Sequence, residues 1–118
     1  MYHYFLRDML NKVVKLNHQQ FAFQYNQLRS VKLSNNLKYI GSNAFSFNCL
    51  ESVEIPDSVT KIEKGAFYYC KNLKRIDFGD ADVSIMSNAF EKCDNISELS
   101  GTKNIEKIEK KAFIKCKN

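Results

Sequence analysis

The chain has 118 residues, of which 44% are hydrophobic and 26% are charged, with one proline and four glycines. These proportions are typical of a single globular domain and exclude a disordered or low-complexity chain. A formal net charge of +5 is too small to indicate a nucleic-acid-binding protein, and no stretch approaches the roughly 20 apolar residues that a membrane span needs.

Residues 3–17 are predicted to form an amphipathic helix, because apolar residues recur there at steps of three and four. We interpret this helix as an N-terminal cap on the repeats that follow; the alternative is a helix that lies on a membrane surface. Asp8 disfavours the alternative because it interrupts the basic face. Asp8 also interrupts the apolar stretch of a signal peptide, and no cleavage site follows, so the chain as it stands is expected in the cytoplasm.

From about residue 21 onward the chain repeats every 22 or 23 residues, which indicates a solenoid. The dipeptide Ala-Phe marks each repeat, at Ala22-Phe23, Ala44-Phe45, Ala66-Phe67, Ala89-Phe90 and Ala112-Phe113. An isoleucine stands four residues before each of the last four alanines, at Ile40, Ile62, Ile85 and Ile108. An apolar residue precedes each isoleucine by three positions, except where Asp82 stands. A Leu-x-x-Val-x-Ile pattern follows each Ala-Phe, as Leu28-Val31-Leu33, Leu50-Val53-Ile55, Leu73-Ile76-Phe78 and, more weakly, Ile96-Leu99-Gly101.

The alternation at the end of each Leu-x-x-Val-x-Ile segment predicts a short strand with one buried face. One such strand cannot bury its apolar face alone, so successive strands are expected to stack at about 4.8 Å into a parallel sheet. Ala-Phe is predicted at the corner where the chain turns back. About one helical turn is expected at each corner, at residues 42–46, 64–68, 87–91 and 110–114. The alternative, a sheet with crossover helices, needs a dozen or more residues per crossover, and little room remains for them.

The best-formed repeat reads Ile55-Pro56-Asp57-Ser58-Val59-Thr60-Lys61-Ile62-Glu63-Lys64-Gly65-Ala66-Phe67-Tyr68-Tyr69-Cys70-Lys71-Asn72-Leu73. It resembles the BspA-like class of leucine-rich repeat, which typically reads I-P-x-S-V-x-x-I-x-x-x-A-F-x-x-C-x-x-L. The likeness extends from about residue 21 to the end, with departures at Gly79, Asp82 and Thr102. It implies a leucine-rich-repeat solenoid of the α/β class. It also implies a surface-exposed or secreted protein of the kind often associated with adhesion, in contrast to the cytoplasmic location that the N terminus indicates.

We divide the chain into a helical cap, residues 1–20, and a solenoid of about 4.5 repeats, residues 21–118. The last repeat stops at Cys116-Lys117-Asn118, where the next strand is expected, and no cap follows it. Either the chain is a fragment of a longer protein or another chain covers this end. A second copy is one candidate because unpaired strand edges invite pairing, so self-association through the C-terminal end is predicted.

No residue pattern indicates catalysis, a metal site or a bound cofactor. Cys70, Cys93 and Cys116 share one repeat position, and their spacing matches neither a zinc site nor a small disulfide framework. We interpret them as buried thiols that act as small apolar residues. His3 and His18 have no partner at catalytic or ligand spacing. We therefore predict a protein that is not an enzyme.

The C-terminal residues 103–117 carry more lysines than glutamates, and we interpret them as a solvated surface. No exposed aromatic residue is expected among these lysines, so the stacking platforms of a single-stranded nucleic-acid site are missing. Nucleic acid is not an expected partner. Binding of other polyanions to these lysines is the weakest of the hypotheses.

The outward positions of the strands are the candidate binding residues. They are Ser30, Lys32, Ser52, Glu54, Arg75, Asp77, Glu98 and Ser100. Lateral neighbours of opposite charge, Lys32 with Glu54 and Arg75 with Glu98, are expected to pair across the strands. Such pairs either keep the sheet soluble or form a column of polar contacts for a partner, although the face lacks the aromatic or arginine cluster of a binding hot spot.

These patterns favour a non-catalytic module for protein–protein interaction or adhesion, whose protein ligand the sequence does not name. The alternative is a cytosolic scaffold, or a truncated fragment of a longer leucine-rich-repeat surface protein with no activity of its own.

Overall fold

The computed structural model describes residues 13–14 and 27–116, and in this part of the chain short parallel strands follow one another around a solenoid. The strands are β1 (Val13–Val14), β2 (Lys32–Leu33), β3 (Tyr39–Ile40), β4 (Ser52–Glu54), β5 (Lys61–Ile62), β6 (Arg75–Asp77), β7 (Ser84–Ile85), β8 (Glu98–Ser100) and β9 (Lys107–Ile108). Strands β3, β5, β7 and β9 form one sheet, strands β4, β6 and β8 form a second, and β1 pairs with β2. No helix among these residues is long and apolar enough to cross a membrane.

In the two larger sheets, strands from successive coils pair with one another. In one sheet Ile40 aligns with Ile62, and Ile62 aligns with Ile85. In the other sheet Val53 aligns with Ile76. All these pairs are parallel, and the aligned residues are one repeat apart. The predicted stack of parallel strands is confirmed, and like residues of successive repeats form continuous columns.

The corner phenylalanines form a stack that runs through the core. The ring of Phe67 lies between those of Phe45 and Phe90, with centroids 5.5 Å and 5.1 Å away. On its other side, the ring of Phe90 is 5.0 Å from that of Phe113. The alanines before these rings are buried, which leaves room for the backbones of neighbouring coils to approach. The predicted column is thus confirmed for four corners, and the fifth, Ala22-Phe23, lies outside the described residues.

The corners are hydrogen-bonded turns and not the predicted single helical turns, so that prediction is wrong for the described residues. The corner amides explain the difference, because many of them bond to the next coil. Phe67 N donates to Ala89 O at 2.7 Å, and Tyr69 N donates to Glu91 O at 2.8 Å. Gly65 and Tyr69 also adopt positive φ values of 69° and 60°, which a right-handed helix does not contain.

The predicted N-terminal helix is wrong at the two positions that the structure describes. Val13 and Val14 form β1, aligned in parallel with Lys32 and Leu33 of β2. β-Branched residues favour extended backbone, and the unpaired edge of β2 offers them hydrogen-bond partners. The rest of residues 3–17 lies outside the described residues.

Asp82 is the one residue of its repeat position that breaks the apolar pattern, and the structure places it in solvent. Its two neighbours, Ala81 and Val83, are both fully buried and fill the core in its place. The adjacent strand β7 keeps its pairing with β5 and β9. The departure from the repeat pattern therefore changes the local side-chain packing and leaves the sheet register intact.

At the C-terminal end of the stack the core is open to solvent. Among the described residues no further strand covers β8 or β9. Leu99 of β8 is 47% exposed and Ile108 of β9 is 54% exposed, although residues at the same positions of earlier coils are buried. With Phe78 and Phe113 they line an apolar cavity of about 430 Å³.

Candidate interaction surface

The eight outward residues predicted from the sequence are all exposed and lie on or beside β2, β4, β6 and β8. They are Ser30, Lys32, Ser52, Glu54, Arg75, Asp77, Glu98 and Ser100. The register of the three-stranded sheet aligns Ser52 with Arg75 and Arg75 with Glu98. Backbone hydrogen bonds such as Cys49 N to Leu28 O join the coil of β2 to that of β4. The structure thus places six of the eight residues on the face of the three-stranded sheet, and the other two, Ser30 and Lys32, in the neighbouring coil of β2, which pairs with β1.

The charges on this face do not form the expected ion pairs. Arg75 aligns with Glu98, yet these residues close no salt bridge in the described part of the chain, and neither do Lys32 and Glu54. Long exposed side chains lose entropy when they are held in one geometry, and water screens their attraction. The register instead places Glu54 directly opposite Asp77, two carboxylates on neighbouring strands. Like charges in this arrangement repel one another.

A concave cavity of about 710 Å³ borders this face. Five of the eight residues line it, together with the turn residues that follow the strands. Its charged lining residues are Lys32, Glu54, Asp57 and Asp77, so carboxylates outnumber ammonium groups. A smaller cavity of about 250 Å³ lies along β4, β6 and β8. The surface therefore combines a recess with an excess of negative charge.

Aspartate carboxylates hold the margin of the larger cavity in place. Asp57 Oδ1 accepts a hydrogen bond from Asp80 N in the next coil at 2.8 Å, and Asp77 Oδ1 accepts one from Gly79 N at 2.8 Å. Gly79 has a φ of 53°, and its amide lies close to Gly101 of the following coil. A Cβ on Gly101 would meet the Gly79 backbone, so glycine is required where the two coils approach. The recess is thus built on a fixed backbone.

The cysteines at the shared repeat position lie in the core as predicted, with Cys70 and Cys93 buried and Cys116 partly buried. Each thiol donates to the carbonyl of the corner phenylalanine one coil earlier: Cys70 to Phe45 at 3.3 Å, Cys93 to Phe67 at 3.1 Å and Cys116 to Phe90 at 3.0 Å. No three metal-ligating residues cluster within residues 13–14 and 27–116. The thiols are hydrogen-bonded parts of the core.

The folded chain favours the protonated form of two of these thiols, Cys93 and Cys116. Hydrogen bonding with Cys70 and burial raise the pKa of Cys93, and burial raises the pKa of Cys116 to about 11. An ordinary thiol has a pKa of 9.0 and therefore ionises at a lower pH than Cys116 does. A reactive or catalytic cysteine needs the opposite shift, because the thiolate is the nucleophile.

Stability is expected to fall as the pH rises from 9.0 toward about 11. In this window Cys93 and Cys116 ionise in the unfolded chain but stay protonated in the folded chain. The unfolded chain therefore binds fewer protons, and the free energy of unfolding decreases. Urea denaturation at successive pH values measures the slope. The variant Cys93→Ala should have a shallower slope, because it lacks one of the two thiols whose pKa is raised in the folded chain. Equal slopes in the two proteins would contradict the assignment.

A second cluster was missed by the sequence interpretation. Phe47, Tyr68 and Tyr69 are partly exposed at the corners, with centroid distances of 5.3 Å from Phe47 to Tyr68 and 5.2 Å from Phe47 to Tyr69. Lys71 Nζ lies 4.9 Å from the centre of the Tyr69 ring, and Lys92 Nζ lies 5.7 Å from it. One signal was available in the sequence, because Phe47 and Tyr69 occupy the same repeat position.

Comparison with known proteins returned one family. A family model described as the BspA type leucine rich repeat region matches residues 11–118 in six copies. The match begins inside the segment 1–20 that was assigned to a helical cap, near the strand β1. No curated protein and no solved structure gave a significant match.

Proposed function

The chain belongs to the BspA-type leucine-rich repeat family, and on this premise we propose that it is a non-catalytic protein-binding module. The proposed binding surface is the outward face of β4, β6 and β8 with the adjoining cavity. Solenoids of short repeats build extended surfaces to which each repeat contributes a similar set of side chains. Six exposed residues on these three strands, with Ser30 and Lys32 at the adjoining cavity, have that arrangement.

One observation carries the proposal, the alignment of Glu54 with Asp77. Two exposed carboxylates on neighbouring strands repel one another, and the hydrogen bond that Asp77 Oδ1 accepts from Gly79 N neutralises neither charge. A partner with lysine or arginine side chains would relieve that repulsion and gain charge-assisted hydrogen bonds. We infer that the partner is a protein segment with a net positive charge.

A more specific version of this proposal is adhesion at a cell surface, and its only support is membership of the family. A cytosolic scaffold, or part of a longer surface protein, is the alternative. The gene sequence upstream would discriminate between them, because an in-frame secretion signal favours the surface protein. Self-association through the apolar end formed by Leu99 and Ile108 remains a prediction.

Selection from a displayed library of short peptides tests the proposed binding surface. We expect the protein to enrich lysine- or arginine-rich peptides. The double variant Glu54→Lys/Asp77→Lys should bind these peptides with an affinity at least about ten-fold lower, or 1.4 kcal/mol weaker. The matched control is Asp82→Lys/Glu106→Lys, which makes the same change in net charge at exposed residues outside this face. Peptides that bind both variants equally, or no enrichment at all, would refute the proposal.

A further inference from the structure

Two positions of each of the four described corners have left-handed backbone, and different side chains occupy them. The first position, one residue before the corner alanine, holds Asn43, Gly65, Asn88 and Lys111, with φ values of 56°, 69°, 62° and 67°. The second, two residues after the corner phenylalanine, holds Phe47, Tyr69, Lys92 and Lys115, with φ values of 61°, 60°, 61° and 63°. The second position therefore carries large side chains in every described corner.

This backbone conformation is unfavourable for most residues, whereas glycine adopts it freely and asparagine tolerates it. The first position follows that preference in three of its four corners. The second position does not, although its φ values are the same within a few degrees. Backbone geometry alone thus does not account for Phe47 and Tyr69, and their side chains must compensate for the strain.

Three of the side chains at the second position, those of Phe47, Tyr69 and Lys92, belong to one cluster with Tyr68 and Lys71. The ring of Tyr69 is contacted from the preceding coil by Phe47 and from the following coil by Lys92. Lys92 Nζ also lies 5.9 Å from the centre of the Tyr68 ring. Such contacts hold the ammonium groups in place, since a cation over an aromatic face is attracted by the ring quadrupole.

The contacts also determine which parts of the cluster a ligand can reach. Because Phe47 and the lysines contact the ring of Tyr69, little of its face remains for a nucleic-acid base to stack on. The Tyr68 hydroxyl, the ring edges and the ammonium groups remain, whereas the Tyr69 hydroxyl already interacts with Lys71. Each of these is a hydrogen-bond donor or carries partial positive charge, which suits an anion.

Charge around the cluster points the same way. Lys71 is exposed, and Lys115 continues the second position into the next coil. Two acids adjoin the cluster: Asp94 lies near Lys71, and Glu91 accepts a hydrogen bond from Asn88 Nδ2 at 2.6 Å. Lys71, Lys92 and Lys115 outnumber them. We propose that Tyr68, Tyr69, Lys71 and Lys92 form a second binding site that takes a segment of a protein rich in aspartate or glutamate. This site is separate from the acidic strand face and does not depend on its function.

Fluorescence anisotropy with a labelled glutamate-rich peptide tests the site, with the same peptide carrying glutamine at each glutamate as the reference. We expect the glutamate peptide to bind at least about ten-fold more tightly and the difference to shrink at high salt, where such attractions are screened. The double variant Lys71→Gln/Lys92→Gln should lose this preference. The matched control, Lys64→Gln/Lys110→Gln, removes two exposed lysines without ring contacts and should retain it.

Tyr69→Asn separates binding from folding, because asparagine suits the left-handed backbone. Its melting temperature should stay close to that of the parent, while the affinity for the glutamate peptide falls at least about five-fold. Equal affinity for the two peptides, or full binding by Tyr69→Asn and the lysine double variant, would overturn the proposal. Tighter binding of an oligouridine probe than of the glutamate peptide would replace it with a nucleic-acid site.

Discussion

Replacing Phe67 with alanine is expected to lower the free energy of unfolding by about 3–5 kcal/mol, a large part of the stability of a domain this size. The ring of Phe67 is fully buried and stacks between those of Phe45 and Phe90. Its removal leaves a cavity between two coils whose spacing is set by the backbone hydrogen bonds from Phe45 N to Ala66 O and from Phe67 N to Ala89 O. The walls cannot close because those bonds hold them apart. Urea denaturation followed by circular dichroism measures the loss.

The variant Phe67→Leu is the control for this experiment. It keeps most of the apolar volume but removes the aromatic stack, so it should cost less than half as much as alanine. If Phe67→Ala unfolded cooperatively at the same urea concentration as the parent, the stacked core would not be the source of stability. The interpretation of the Ala-Phe repeat would then be wrong.

The substitution Ile62→Ala is expected to lower the free energy of unfolding by about 2–5 kcal/mol, whereas Ile108→Ala should lower it by about 1 kcal/mol or less. Both residues occupy the same column of one sheet. Ile62 is fully buried between Ile40 and Ile85, whereas Ile108 aligns with Ile85 on one side only and is 54% exposed. The chemical change is the same, so the difference between the two costs measures the burial that a covering coil supplies.

Thermal and urea unfolding of the two isoleucine variants give the comparison directly. If both variants lost the same large amount of unfolding free energy, another molecule or segment would cover Ile108 in solution. Light scattering of the parent protein would then distinguish a second copy from a segment of the same chain. A small cost at Ile62 as well would contradict the burial of the whole column.

Repeat phase explains why much of the core could be predicted from sequence. Residues 22 or 23 positions apart occupy equivalent places in successive coils, so the spacing of Ala-Phe identifies the column of rings without any knowledge of the structure. The same phase identified the stacked thiols and the outward strand residues. It also implies that Glu54 lies opposite Asp77, a repulsive pair that the sequence interpretation did not consider.

The corners could not be predicted in the same way, because local sequence does not show where their amides bond. Phe67 N pairs with Ala89 O, a partner in the next coil, and this pairing competes with a helical bond to a residue four positions earlier. The aromatic cluster could not be predicted for the same reason, since it depends on contacts between coils. Phe47, Tyr69 and Lys92 come from three coils, and only stacking of those coils brings two rings and an ammonium group together.

The sequence by itself therefore determined the repeat length, the parallel stack, the buried columns and the outward polar face. Apolar residues that recur every 22 or 23 positions are buried together when successive coils stack in register. Tertiary structure alone decided the turn geometry of the corners, the strand at Val13–Val14 and the contacts of the lysines with the tyrosines. Those features depend on hydrogen bonds and contacts between successive coils, which exist only after the coils have stacked.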